Sequence, residues 1–261
     1  MPPPEEKVPF GCRMVGTEEK KRLVQDQFTL IAGRYDRADA GLSLGLHFLW
    51  KRATVRRLRL GPGDRILDVC GGTGDLAILA ARRSEGCGTA VVCDLNEPMM
   101  KAGQKKVVGA KLRGGKLAFV RGDAERLPFP DASFDAATVG FGLRNLVDLD
   151  QGLREIVRVL KPGGRFAALE FSLPRPRWLR ALYDLYSRVV LVPASRLITG
   201  ADGPYRYLVE SIRVFARDVG LAGGLARAGL TDIRVRPLSL GIATVYSGQK
   251  PQEADHADDR R

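Results

Sequence analysis

Histidine is nearly missing from this sequence: His47 and His256 are the only two in 261 residues. The four cysteines, Cys12, Cys70, Cys87 and Cys93, never fall in a CxxC spacing. A structural zinc site or a disulfide framework is therefore not expected. Cys70 and Cys93 stand in apolar runs, where a thiol behaves as a small buried hydrophobe. No apolar stretch approaches the roughly eighteen residues that a membrane-spanning helix needs. The opening MPPPEEKVPF lacks the basic and apolar regions of a secretory signal, so a cytoplasmic protein is expected.

What is present is a globular composition, 44% hydrophobic and 28% charged, enough for one sizeable α/β domain. The net charge is +12, and 31 of the 42 cations are arginine, which favours an anionic partner such as nucleic acid or an acidic lipid surface. An arginine-rich genome with a solvated basic face explains the same numbers. Residues 1–18 are polar and proline-rich, and 251–261 have almost nothing to bury, so both ends are expected to be disordered around a single domain at 19–250.

From Asp64 onward, β-branched runs (RILDVC, TAVVCD, KLAFVR, FDAATVG, GRFAALEF) alternate with helical patterns such as DLAILAARR and LDQGLREIVRVL. This alternation predicts an α/β fold, a doubly wound, mostly parallel sheet with crossover helices on both faces. The helix ending at Leu160 places Leu153, Ile156, Val157 and Leu160 on one side, and KPGG (Lys161–Gly164) should stop it. Residues 19–60 read as N-terminal helices, and 173–215 as a helical insert after the fifth strand.

ILDVCGGTGDL holds the most specific chemistry. Gly72, Gly74 and Ala77 satisfy G-x-G-x-x-A, and Asp94 follows where a ribose-binding acid would stand. A pyrophosphate over this loop would face Asp68 and Asp75 unpaired, against the preference of a helix N-terminus for anions. A cation suits the loop better. S-adenosylmethionine carries a sulfonium and an ammonium and no phosphate, so both acids become attractions. Asp94 can accept from both ribose hydroxyls, and Asp123 from the adenine amino group, with Ala124 leaving room for the ring. Asp123 could equally be a simple turn cap.

LDVCGGTGDLA, CDLNEPMM, GDAERLPFPDASFD, FGLRN, RVLKPGGR, LEFS and YRYLVESIR together resemble the ubiquinone/menaquinone biosynthesis C-methyltransferases, the UbiE/MenG family, over about Val24 to Lys250. The resemblance implies a seven-stranded sheet with an antiparallel last strand, S-adenosylmethionine as cofactor and a polyprenylated quinol as acceptor. It places Thr73, Asp94, Asp123, Ala124 and Gly140 at the cofactor; relatives often carry serine at the last of these. RADAGLSLGL lacks the methionine-asparagine pair usual in relatives, and ESIRVFARDVGL lacks their proline.

Carbon methylation needs a ring hydroxyl to lose its proton and push charge to the neighbouring carbon. Arg144 could stabilise that charge and Asn145 orient the ring oxygen, or Arg144 could pair with Asp148 or Asp150 in a helix cap. For the base, Tyr35, Asp36 and a water are candidates; Tyr35 and Asp36 could equally be a turn on a cap over the cofactor.

In RWLRALYDLYSRVVLV, Trp178, Leu182, Leu185 and Val189 share one side and Arg177, Arg180, Asp184 and Arg188 the other. That stripe is either a packed cap or a gate for a prenyl tail at an anionic membrane surface. An RNA methyltransferase ranks second, because no N-P-P-Y or D-P-P-Y follows strand four and no basic RNA module is appended, so nucleic acid is not an expected partner. A non-catalytic membrane-surface protein ranks third, because a scaffold needs no such set of acids and glycines. The sequence leaves homo-oligomerisation open.

Overall fold

A computed structural model of the chain describes residues 7–83, 88–109, 116–191, 193, 203–218 and 220–252. It opens with an antiparallel hairpin, β1 (Lys7–Phe10) and β2 (Arg13–Gly16). The expected disorder of residues 1–18 is thus corrected from Lys7 onward. The partner that orders the hairpin is remote in sequence: Phe10 stacks on Tyr207 with ring centroids 4.3 Å apart. Residues 1–6, and the expected tail from 253, lie outside the described residues.

Three helices follow: α1 (Thr17–Ile31), α2 (Tyr35–Leu42) and α3 (Leu46–Arg57). Then come β3 (Arg65–Val69), α4 (Asp75–Arg83), β4 (Thr89–Asp94), α5 (Glu97–Gly109), β5 (Lys116–Arg121), β6 (Phe134–Gly140), α6 (Leu149–Val159) and β7 (Leu160–Phe171). The insert contributes α7 (Arg177–Tyr186), which continues as a π-helical turn to Leu191, and α8 (Gly203–Asp218). The chain closes with α9 (Leu221–Arg227), β8 (Thr231–Leu238) and β9 (Ala243–Gln249).

The main sheet has the order β5-β4-β3-β6-β7-β9-β8, with β3 to β7 parallel and β9 antiparallel to both neighbours. This is the doubly wound seven-stranded sheet expected from the sequence. Ile66, Leu67, Val92, Ala136, Ala137, Ala168 and Leu169 are wholly buried, as strands covered by helices on both faces must be.

One boundary differs. Helix α6 starts as its cap dictates, with Asp148 accepting from the Gln151 N–H, but it ends at Val159, and KPGG already belongs to β7. Leu160 pairs with Phe134, the strand bulges through Gly163 at φ 73°, and pairing resumes at Arg165 with Ala136. A wholly buried Leu160 suits the end of a helix or the start of a strand, and the ladder to β6 decides.

The chain runs from β3 out to β5 and returns to β6 on the other side of β3. The connections leaving the carboxyl ends of β3 and β6 therefore part and open a crevice.

Candidate active site

The crevice floor is the loop after β3. Gly72 and Gly74 hold φ 54° and 79°, and Cys70 shares that left-handed region at 52°. A Cβ on Gly74 would meet Val92 at 3.1 Å, so the turn is closed to larger residues. Asp94 clasps the loop, one oxygen accepting from the Gly72 N–H at 2.8 Å and the other from the Asn96 N–H at 2.7 Å. Asp68 lies beneath, accepting from Thr138 Oγ1 at 2.9 Å and the Ala77 N–H at 3.1 Å. Its burial pushes its carboxyl up to about 7.

Asp75 corrects the sequence reading, which left it unpaired. Lys51 Nζ stands 2.7 Å from Asp75 Oδ2 and 2.7 Å from Asp39 Oδ2, and Lys106 pairs with both Asp75 and Asp36. Burial pushes the Asp75 carboxyl up, but Lys51 and Lys106 more than offset this and hold it at about 2. Thr73 Oγ1 donates to Asp36 Oδ1 at 2.8 Å. Asp36 therefore clamps the start of α2 onto the glycine loop and α5. Beside it, burial holds the Tyr35 phenol protonated, which suits a hydrogen-bond donor better than a base.

Across the crevice, Asp123 accepts from the Glu125 N–H at 2.9 Å, as a turn cap would, and also pairs with Lys21 at 3.0 Å, with Ala124 buried beside it. At the end of β6 a Cβ on Gly140 would meet the terminal Cδ1 of Leu76 at 2.8 Å, so a serine here would require the end of the Leu76 side chain to shift.

The next residue, Phe141, has φ 59°, a strained conformation for a non-glycine residue. Arg144 and Asn145 hold its carbonyl, Asn145 Nδ2 at 3.3 Å. Arg144 pairs with neither Asp148 nor Asp150: the first caps α6 and the second meets Arg227. Its partner is Glu170, at 3.1 Å and 1% exposed. Glu170 also accepts from the Leu143 N–H at 2.8 Å, so it fixes the whole loop. Tyr207 donates to Asn145 Oδ1 at 3.0 Å. Asn145 lines the crevice, whereas the Arg144 side chain lies buried behind it. Sequence reasoning missed Lys51, Asp39, Tyr207 and Glu170; for the last, a lone charge inside the apolar strand RFAALEF was the available signal.

A model of the ubiE/COQ5 methyltransferase family matches residues 14–250. The chain belongs to this family. Proteins named ubiquinone/menaquinone biosynthesis C-methyltransferase UbiE from Pseudomonas entomophila and Xanthomonas oryzae are each 40% identical to it, over 93% and 92% of this chain and 94% and 95% of theirs. In fold it resembles a SAM-dependent methyltransferase of Thermotoga maritima (TM-score 0.57, 20% identity, 87% of this chain, 99% of that one). It also resembles phosphoethanolamine N-methyltransferase 2 of Haemonchus contortus (TM-score 0.57, 16% identity, 77% of this chain, 52% of that one), whose crystals contained S-adenosylmethionine.

Family and fold make the chain a class I methyltransferase that uses S-adenosylmethionine. The crevice fits that ligand: it is floored by glycines and lined by Asp68, Asp75, Asp94 and Asp123. Lysines match Asp75 and Asp123, whereas Asp94 accepts from backbone N–H groups and keeps its charge for the ligand.

The family's second substrate needs its own space, and an apolar cavity adjoins the crevice. Leu46, Trp50, Phe171, Leu182, Tyr205 and Ile212 are among its lining. The two share a wall: Phe141 faces the crevice, Phe171 faces the cavity, and the rings stack at 4.2 Å.

Helix α7 covers this cavity with Leu179, Leu182, Tyr183 and Tyr186. Trp178, Leu182, Leu185 and Val189, the stripe seen in the sequence, are all more than half exposed, and no residue of α7 is fully buried. Leu44, Phe48 and Leu49, at the start of α3, are likewise exposed. Among the described residues no helix is long and apolar enough to cross a membrane.

Proposed function

We propose that this chain transfers a methyl group from S-adenosylmethionine to a ring carbon of a polyprenylated quinol, the C-methylation of ubiquinone/menaquinone biosynthesis, while docked on an anionic membrane surface. The observation that carries this reading is the shared wall: an acidic, glycine-floored crevice backs onto an apolar cavity whose cover presents bare apolar side chains. An RNA substrate would call for a basic groove there.

Asp94 would take the ribose hydroxyls, Asp123 with Ala124 the adenine, and Thr73 with the loop backbone at Gly72 and Gly74 the remainder; Gly140 lets Leu76 close the floor. The bound cofactor supplies an electrophilic methyl group. The rest is done by the protein. Asn145, held by Tyr207, would orient the ring oxygen. Arg144, fixed by Glu170, would add positive potential behind the loop as negative charge spreads over the ring. The apolar cavity would hold the prenyl tail and keep water from the reacting carbon.

The direct test follows tritium from labelled S-adenosylmethionine into demethylated quinols in anionic vesicles. Transfer to a ring carbon is expected. Asp94→Ala should weaken cofactor binding by about 1–3 kcal/mol, the worth of a lost charged hydrogen bond. Undiminished affinity in a folded variant would remove Asp94 from the ribose site.

A further inference from the structure

Two polar groups at the α2–α3 end of the apolar cavity have no task in the mechanism above, the Asp39 carboxylate and the Ser43 hydroxyl. Both meet His47. Ser43 Oγ lies 2.7 Å from His47 Nδ1 and also accepts from the His47 backbone N–H at 3.5 Å. On the other side of the ring, His47 Nε2 faces Asp39 Oδ2 at 3.9 Å. The imidazole is 2% exposed and lies against the Phe48 ring, with centroids 3.8 Å apart.

The charged groups facing it are Asp36 and Asp39 from α2, Lys51 from α3 and Asp75 from α4. Burial pulls the imidazole below its ordinary value, and the carboxylates restore only part. A neutral ring carries one N–H. With that hydrogen on Nε2 toward Asp39, Nδ1 accepts the Ser43 hydroxyl, and Ser43 Oγ keeps a lone pair. Ligand atoms of Asp39, His47 and Asp75 come within 4.8 Å of one another, but the Lys51 ammonium, 2.7 Å from both carboxylates, fills the centre in place of a metal.

We infer that Ser43, His47 and Asp39 form the proton acceptor for the quinol hydroxyl that faces the apolar cavity, across the ring from the oxygen held by Asn145, with Ser43 touching the substrate and the other two acting through it. The inference rests on the quinol reading above. The ring O–H gives its proton to Ser43 Oγ as Ser43 passes its own to His47 Nδ1. The electron pair stays on the ring oxygen and delocalises onto the carbon to be methylated, while Asp39 faces the new imidazolium. After methylation the carbon's hydrogen leaves as a proton to solvent as the product moves out of the cavity, its C–H electron pair restores the aromatic ring and leaves an oxyanion, and that oxygen takes back the hydroxyl proton from His47 through Ser43. Each turnover then releases one proton. Neither side chain named as a candidate base from the sequence fits this task as well: Tyr35 is held as a phenol, and both oxygens of Asp36 are engaged.

The test combines single-turnover transfer to a short-tailed demethylated naphthoquinol, across about pH 5 to 9, with nitrogen NMR of the histidines. The only other histidine is His256, so His47→Gln assigns the signal. The wild-type rate should fall toward acid with the midpoint of the His47 titration, below 6.5. Ser43→Ala and His47→Gln should each lose about 100-fold, and with it the acid limb, at unchanged cofactor affinity by calorimetry. Asp39→Asn, which deletes a carboxylate that raises the imidazole, should move the NMR midpoint lower still. Rates within roughly threefold of wild type, or an acid limb that survives in His47→Gln, would overturn the relay. Wild-type protein that binds the cofactor but never methylates the quinol would overturn the quinol reading instead, and the relay with it.

Discussion

Replacing Lys51 by methionine removes the charge that ties the helical cap to the glycine loop while keeping most of the apolar stem. The side chain is 7% exposed, and its ammonium stands 2.7 Å from each of two carboxylates. Breaking a buried pair from one side costs about 3–5 kcal/mol, because the remaining charges are left uncompensated. Against the cost of burial, Lys51 and Lys106 together lower Asp75 from 3.8 to about 2, a net effect on the order of 2 kcal/mol at about 1.36 kcal/mol per unit. A depressed carboxyl contributes stability above its unfolded value, 3.8, that is lost as the pH falls through about 2, so neutral pH shows the full effect. Urea unfolding at pH 7, followed by circular dichroism, should show a loss of about 3–4 kcal/mol for Lys51→Met. In an Asp75→Asn background the same replacement should cost about 1–2 kcal/mol less. An equal cost in both backgrounds would mean that Lys51 draws nothing from Asp75, leaving Asp39 and packing to account for the loss, and a loss under about 1 kcal/mol would remove the ionic tie from the account.

Two further outcomes follow from the same geometry. Asp68 is pushed up to about 7, so the folded chain keeps a proton that the unfolded chain gives up near 3.8. Stability should fall as pH rises between those values, and Asp68→Asn should flatten that fall; an unchanged slope in urea titrations across the window would refute it. Vesicle co-sedimentation should strengthen with anionic lipid and weaken with salt, and Leu185→Glu should reduce it and harm activity on a long-tailed quinol more than on a tail-less one. Equal losses on both acceptors, with no vesicle binding by the parent chain, would leave α7 an ordinary cover.

The strands and their order of use were legible because period and β-branching are local: RILDVC, TAVVCD and FDAATVG announce themselves, and the acids fall near their ends. The glycine loop was legible because positive φ leaves a residue-type signature. What escaped depends on chain segments far apart. KVPFGCRMVG looked too polar to fold, since nothing near it says that Tyr207 will cover Phe10. Asp75 looked bare because its two lysines come from α3 and α5. Periodicity shows that α7 has an apolar stripe but cannot say which side meets the protein; Leu179, Tyr183 and Tyr186 turn inward to the cavity, Leu182 lies at its edge, and Trp178, Leu185 and Val189 stay out.

The hairpin at the front of the chain reaches further than its four-residue strands suggest. Phe10 stacks on Tyr207, and the Tyr207 hydroxyl steadies Asn145 at the mouth of the crevice. On the proposed role of Asn145, a change at position 10 would reach the acceptor side of the site through two contacts without altering any group that lines the crevice. A chain trimmed to begin at Thr17 would keep every residue around the methyl donor and lose that support for Tyr207.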